Sequence, residues 1–158
     1  MKRVLLVITT LCALLLLSCN EDYTLFPDKY NRILSLKNSG VRELRSGNTV
    51  KEYKDSILVL KGGGNPDNDA FARIEVMELG KACETFGYEG GSIEIIASES
   101  YSIRGGDDIV LEGSTRSRYI PITFSPENIY HQALKAKGKT LVLPVVLRSE
   151  TDTVNTSS

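Results

Sequence analysis

Residues 119–127 read Tyr119-Ile120-Pro121-Ile122-Thr123-Phe124-Ser125-Pro126-Glu127, and the fold class follows from this stretch. Ile120, Ile122 and Phe124 fall on one side, Tyr119 and Thr123 on the other. A period of two sorts side chains onto the two faces of a half-buried strand. Ser125-Pro126-Glu127 then starts a helix with a cap residue, a proline at the first helical position and an early acid facing the positive end of the helix dipole. Along that helix Ile129, Ala133 and Leu134 are expected to face the core. Lys135 and Lys137 sit at the favourable C-terminal end, and Gly138 can stop it.

Working outward, the same alternation recurs. Residues 72–79 (ARIEVMEL) put Ala72, Ile74 and Val76 on one side, Arg73 and Glu75 on the other. Residues 56–61 (SILVLK) form a continuous apolar run stopped by Gly62-Gly63-Gly64. Residues 32–37 are a short strand ended by Asn38-Ser39-Gly40, with 41–45 as its continuation. Residues 92–96 and 109–111 are further short strands, and 140–147 (TLVLPVVL) closes the series. Pro144 cannot donate to a ladder, so it marks an edge, a bulge or a strand that switches sheets. A turn of helix is expected over 81–86. Many short strands separated by Gly, Asn and Asp turns predict a mainly β chain, a β-sandwich with one short helix near the C-terminus. No internal repeat or low-complexity block is present.

The composition agrees. The chain has 158 residues, 41% hydrophobic and 25% charged, with a formal charge of −1. These values exclude collagen-like, disordered and disulfide-dense chains, and a strongly basic nucleic-acid binder.

Met1-Lys2-Arg3 followed by 14 uncharged residues, 4–17, reads as a signal peptide rather than a membrane span, which needs about 20 apolar residues. The run ends in Leu16-Leu17-Ser18-Cys19, which looks like a bacterial lipobox. Residues 1–18 would be removed, and Cys19 would carry the lipid at the head of a tether, 19–29, before a sandwich domain, 30–158. The alternative is an ordinary secretory signal with an incidental cysteine. Asn20-Glu21-Asp22 resembles the surface-export signal of Bacteroidota lipoproteins, so the expected location is the outer membrane, lipid-anchored and exposed at the cell surface. Multiple acyl chains hold a domain on a membrane without a spanning helix. Losing Lys2 and Arg3 leaves 17 of the 19 basic residues against 20 acidic ones, a charge of −3, and Cys83 as the only thiol besides Cys19. No intramolecular disulfide is then available, and the core must supply the stability.

The order of segments resembles a Bacteroidota domain-of-unknown-function family at the N-terminus of surface lipoproteins from glycan-utilisation loci, which also occurs in front of chitinase-like endoglycosidase domains. The likeness spans residues 25–155. It rests on Leu25-Phe26-Pro27, on 95–103 (IIASESYSI) as a counterpart of the family's leucine-proline-tyrosine approach, on the strand-to-helix passage after Tyr119, and on Leu143-Pro144 in a late core strand. The leucine-proline pair before the tyrosine is replaced here by Ala97-Ser98-Glu99-Ser100. The resemblance implies an immunoglobulin-like sandwich with an accessory role in glycan handling or adhesion, and no known active-site residue. Members run on into a second module, so a truncated form of a longer two-module protein is an open reading.

No catalytic constellation stands out, and the chain is expected to be no enzyme, with no cofactor. Asn65-Pro66-Asp67-Asn68-Asp69 is the densest acidic loop, but the EF-hand positions for Gly and Glu hold Ala70 and Val76. A solvated turn is favoured there over a looser Ca²⁺ site with Asp107 and Asp108. Gly62-Gly63-Gly64 lacks the Gly-Lys-Ser/Thr of a phosphate loop. His131 stands alone and reads as a surface helix residue. Tyr88, Tyr101, Tyr119 and Tyr130 are candidates for stacking on a sugar, each also explicable as a core-edge tyrosine of a sandwich. Asp55-Ser56-Ile57 and Asp152-Thr153-Val154 are similar to the O-glycosylation pattern of Bacteroidota exported proteins, at Ser56 and Thr153. Asn155-Thr156-Ser157 fits an N-glycosylation sequon that means little in a bacterial lipoprotein. The expected role is capture of extracellular polysaccharide. The rival is a structural or adhesive spacer, or a subunit of a surface protein complex; neither uses nucleic acid.

Overall fold

The strand read over 119–124 runs from Ser117 to Phe124, and Ile120, Ile122 and Phe124 are buried as its alternation requires. The computed structural model describes residues 28–37, 39–45 and 50–155. Cys19 with the Leu16-Leu17-Ser18 read as a lipobox, Asn20-Glu21-Asp22, Leu25-Phe26-Pro27, and Thr156 and Ser157 of the sequon lie outside the described residues.

In chain order the elements are β1 (Ile33–Leu36), β2 (Tyr53–Gly62), β3 (Ala70–Val76), α1 (Leu79–Phe86), β4 (Ile93–Ile95), β5 (Tyr101–Ile103), β6 (Ile109–Leu111), β7 (Ser117–Phe124), α2 (Pro126–Lys135), β8 (Thr140–Val142), β9 (Val145–Arg148) and β10 (Thr153–Asn155). A five-stranded sheet runs β10-β1-β2-β7-β5, a three-stranded sheet runs β6-β3-β9, and β4 pairs with β8. Leu34, Val59 and Ile120 from the larger sheet meet Ile74, Ile109 and Leu147 from the smaller one in a common core. The chain is therefore mainly β and sandwich-like. Taking β1, β2, β3, β5, β7, β9 and β10 as strands A to G, the larger sheet holds A, B, E and D as an immunoglobulin sandwich does. C pairs with F, and G lies parallel to A instead of beside F.

A second apolar cluster, Ile96, Ile122 and Phe124, extends the core under α2 with Tyr53, Ile129 and Leu141. The tilted ring contact of Tyr53 with Phe124, centroids 6.2 Å apart, belongs to it.

Four local expectations need correction. Residues 140–147 are two strands: β8 pairs parallel with β4, and β9 pairs antiparallel with β3. Between them the Pro144 carbonyl accepts the Met77 N–H at 2.8 Å. The proline thus marks a strand that changes sheets, the place where its missing N–H costs no ladder bond. Residues 41–45 form no strand. Gly40, at φ +112°, turns the chain off the ladder after Lys37 N–H has reached Leu58, and Val41 is left exposed. The helical turn read over 81–86 is a full helix, α1, stopped by Gly87 at φ 69°.

Fourth, α2 turns Ile129 and Gln132 inward, with Ala136 buried just past its end, rather than Ala133 and Leu134. Leu134 is 63% exposed, and Ala133 is exposed too. The reason is polar. Gln132 Oε1 accepts the Ala97 N–H at 2.9 Å, and Nε2 donates to the Ile95 carbonyl at 2.8 Å and to Glu94 at 2.9 Å. These backbone groups at the end of β4 need partners. Gln132→Ala is expected to cost about 1–2 kcal/mol, read from a denaturant titration; no loss would contradict this account of the helix face.

Candidate functional site

The outer face of the five-stranded sheet is a lattice set by cross-strand register. Lys54 on β2, Thr123 on β7 and Ser102 on β5 form one row. Ser56, Pro121 and Arg104 form the next, because Ser56 opposes Pro121 and the Arg104 N–H donates to the Pro121 carbonyl at 3.0 Å. Leu58 and Tyr119 form the third. Rows on one face lie about 7 Å apart and strands about 4.8 Å apart. Lys54, Thr123, Ser102, Pro121 and Arg104 line a shallow cleft of about 330 Å³, with Glu52 at its edge, 3.6 Å from the Lys54 ammonium. Tyr119 stands beside it, 67% exposed. Such a face offers one flat aromatic surface and several polar groups at fixed spacing on rigid strands, which suits a ligand with alternating apolar and hydroxylated faces.

The other tyrosines are spoken for or isolated. Tyr101 is half-buried against the second core cluster, and Tyr88 is half-buried with its ring 6.4 Å from that of Phe86. Tyr130 is exposed on α2 beside His131, which is also exposed, with centroids 5.9 Å apart. Cys83 is half-buried in α1.

The acidic loop is tied by the protein's own cations. Arg116 donates to Asp67 and, at 2.7 Å, to the Pro66 carbonyl. Asp69 accepts the Gly113 N–H at 2.7 Å. Asp107 instead lines a groove of about 480 Å³ with Glu75, Tyr101 and Ile103. Among the described residues no group of three or more His, Cys, Asp or Glu could hold a metal ion. Gly62-Gly63-Gly64 serves packing: Gly63 has φ +107°, and a Cβ there would lie 2.5 Å from the Asn31 carbonyl oxygen. Of the two modification motifs, Ser56 lies half-buried in β2 with Asp55 paired to Arg42 at 2.6 Å. Thr153 donates its hydroxyl to the Lys29 carbonyl from β10.

Two buried charged groups were not singled out in the sequence. Lys61 ends the apolar run of β2 at 4% exposure. Its ammonium donates to the carbonyls of Asn68, Leu111 and Gly113 at 2.9, 2.8 and 2.6 Å, joining the larger sheet to the loops around the smaller one. Burial pushes its pKa below the ordinary 10.5, and the Arg116 charge acts in the same direction. Asp152 has a fully buried side chain paired with Arg32; it also accepts the Phe71 N–H at 3.1 Å and the Thr151 hydroxyl at 2.9 Å. The parity of β2 was the available signal for the first, since Ile57, Val59 and Lys61 share a face. No sequence signal marked Asp152 as buried.

Glu75 lines the larger groove beside Arg73 and Arg148. Hydrogen bonding from Arg73, at 2.7 Å, and the charges of Arg73 and Arg148 hold its carboxyl below the ordinary 4.5. That is the reverse of what a proton-donating acid needs. Asp67 is likewise held below 3.8, first by its hydrogen bond from Arg116 and then by that charge. Both native values lie below the unfolded ones, so each pair contributes stability above the ordinary carboxyl range. That contribution is lost as pH falls through the lowered native values. Thermal melts taken from neutral pH downward should therefore show Tm starting to fall near the ordinary values and continuing below them, with Asp67→Asn flattening part of the drop. A wild-type profile flat across that window would contradict the pairing.

No family model matches the chain, and no curated protein matches it. Among solved structures it is similar to a protein of unknown function from Bacteroides ovatus, with a TM-score of 0.51 and 14% identity. The match covers 79% of this chain and 40% of that one, so the likeness takes in less than half of that protein. At this identity the likeness shows the fold alone. Among the described residues no helix is long and apolar enough to cross a membrane.

Proposed function

We propose that this chain is a non-enzymatic lipoprotein module, anchored through Cys19 to the outer membrane and facing outward, that captures extracellular polysaccharide on the outer face of its five-stranded sheet. The observation that carries the reading is Tyr119, exposed on a flat strand face one row from a polar cleft. A tyrosine left in water at that position stabilises no core and is available to stack on a sugar ring. The residues Leu16-Leu17-Ser18-Cys19, which look like a lipobox, and the Asn20-Glu21-Asp22 that follows support the address. The ion pairing of Glu75 supports the non-enzymatic reading, since it holds that carboxyl in the ionised form rather than ready to give up a proton.

Affinity electrophoresis against a panel of plant and host glycans tests this. At least one glycan should retard the protein, and Tyr119→Ala should weaken that binding about tenfold, or ~1.4 kcal/mol, with an unchanged melting curve. The absence of tryptophan favours the rival, a structural or adhesive module. A panel with no retardation, together with protein partners recovered by cross-linking on intact cells, would decide for the rival.

A further inference from the structure

We infer that the polysaccharide held on this face is acidic, and that Arg104 binds the carboxylate of a uronic-acid unit while Tyr119 stacks on a ring of the same chain. The inference rests on the proposed sugar-binding role of the sheet face and adds the ligand class. Its starting point is an unmatched charge. Arg104 is exposed in the cleft, and among the described residues its guanidinium has no hydrogen bond or ion pair. The other basic residue there, Lys54, is already beside Glu52, so the pair leaves the net positive charge of the cleft on Arg104.

Geometry adds to charge. The backbone bond from Arg104 N–H to the Pro121 carbonyl fixes Arg104 one strand and one row from Tyr119. That diagonal separation is about 7–8 Å between backbone positions, short enough for one saccharide chain to reach both side chains. The Ser102 and Thr123 hydroxyls, paired in register in the next row, can donate to or accept from ring hydroxyls. A planar guanidinium with parallel N–H groups suits a planar carboxylate, which it binds with two bonds, better than it suits a neutral hydroxyl. Pro121 between them offers no competing side-chain polar group.

The test uses the full chain, purified in detergent, in affinity gels containing polygalacturonate, its methyl-esterified form, neutral galactan or dextran sulfate. Polygalacturonate should retard the wild type. Methyl esterification should weaken binding at least tenfold, and so should Arg104→Gln, with Arg104→Lys intermediate and all melting curves unchanged. Dextran sulfate should retard the protein less than polygalacturonate. Equal retardation by the esterified polymer, an Arg104→Gln variant that binds like wild type, or equal retardation by dextran sulfate would each overturn the inference. Retardation by neutral galactan alone would overturn it and leave the proposed function standing. No retardation by any glycan would overturn both.

Discussion

Lys61→Met is expected to lower the melting temperature by roughly 10 °C. Methionine matches the length of the lysine stem, so little volume is lost, and the change isolates the ammonium. Three carbonyls, of Asn68, Leu111 and Gly113, lose their donor at once. A buried acceptor left without a partner costs about 1–3 kcal/mol, and the three are expected to cost about 3–5 kcal/mol together, because water can reach the loop carbonyls in part. For a domain of this size each kcal/mol corresponds to about 2–4 °C in Tm. The loss should be accompanied by faster hydrogen exchange at Gly113 and Asp69, whose loops the ammonium holds. Lys61→Arg should not restore the wild-type value, because a planar fork cannot point three bonds at three converging carbonyls. A change in Tm below ~2 °C for the methionine variant would show that the ammonium is not holding the end of the sandwich.

Asp152→Ala is expected to cost a similar amount, about 3–5 kcal/mol, by a different route. Here a buried carboxylate is removed, and what remains is the positive Arg32 and the Phe71 N–H, both deprived of their acceptor. The carboxylate joins three segments: the residue before β1, the start of β3 and the residue before β10. Its loss should therefore free β10 from β1 before the rest of the sheet melts, visible as early exchange of the amides at Val154 and Leu34. Asp152→Asn retains the shape but presents a donor to groups that are themselves donors, so it should recover less than half of the loss. A variant as stable as wild type would mean that the buried pair contributes nothing to closing the sheet.

These two residues show where the sequence was legible and where it was not. The alternation of Ile120, Ile122 and Phe124, and of Ala72, Ile74 and Val76, reported sheet faces directly, because a period of two is a local property. The start of α2 at Pro126 was equally local. What α2 buries was not. Ala133 and Leu134 are more apolar than Gln132, but the end of β4, more than 30 residues away, offered polar groups that only an amide could satisfy. The same holds for 140–147, whose apolar run carries no mark of two different partner strands beyond Pro144. Asp152 was visible only as part of a three-residue modification motif, because its partners Arg32 and Phe71 lie 120 and 81 residues away. The site behaved in the same way. Tyr119 stood among four equivalent tyrosines until the pairing of β2, β7 and β5 set it beside Arg104 and left the others half-buried or without a cleft.

The most direct measurement is an amide chemical-shift titration of the isotope-labelled protein with a short oligogalacturonide. Binding on the sheet face predicts shift changes that saturate together at Lys54, Ser102, Arg104, Tyr119 and Thr123, with Val76 and Asp107 in the other groove unmoved. Changes confined to that other groove would contradict the assignment of this face as the sugar-binding surface, and no saturable change anywhere would contradict the acidic ligand inferred for it.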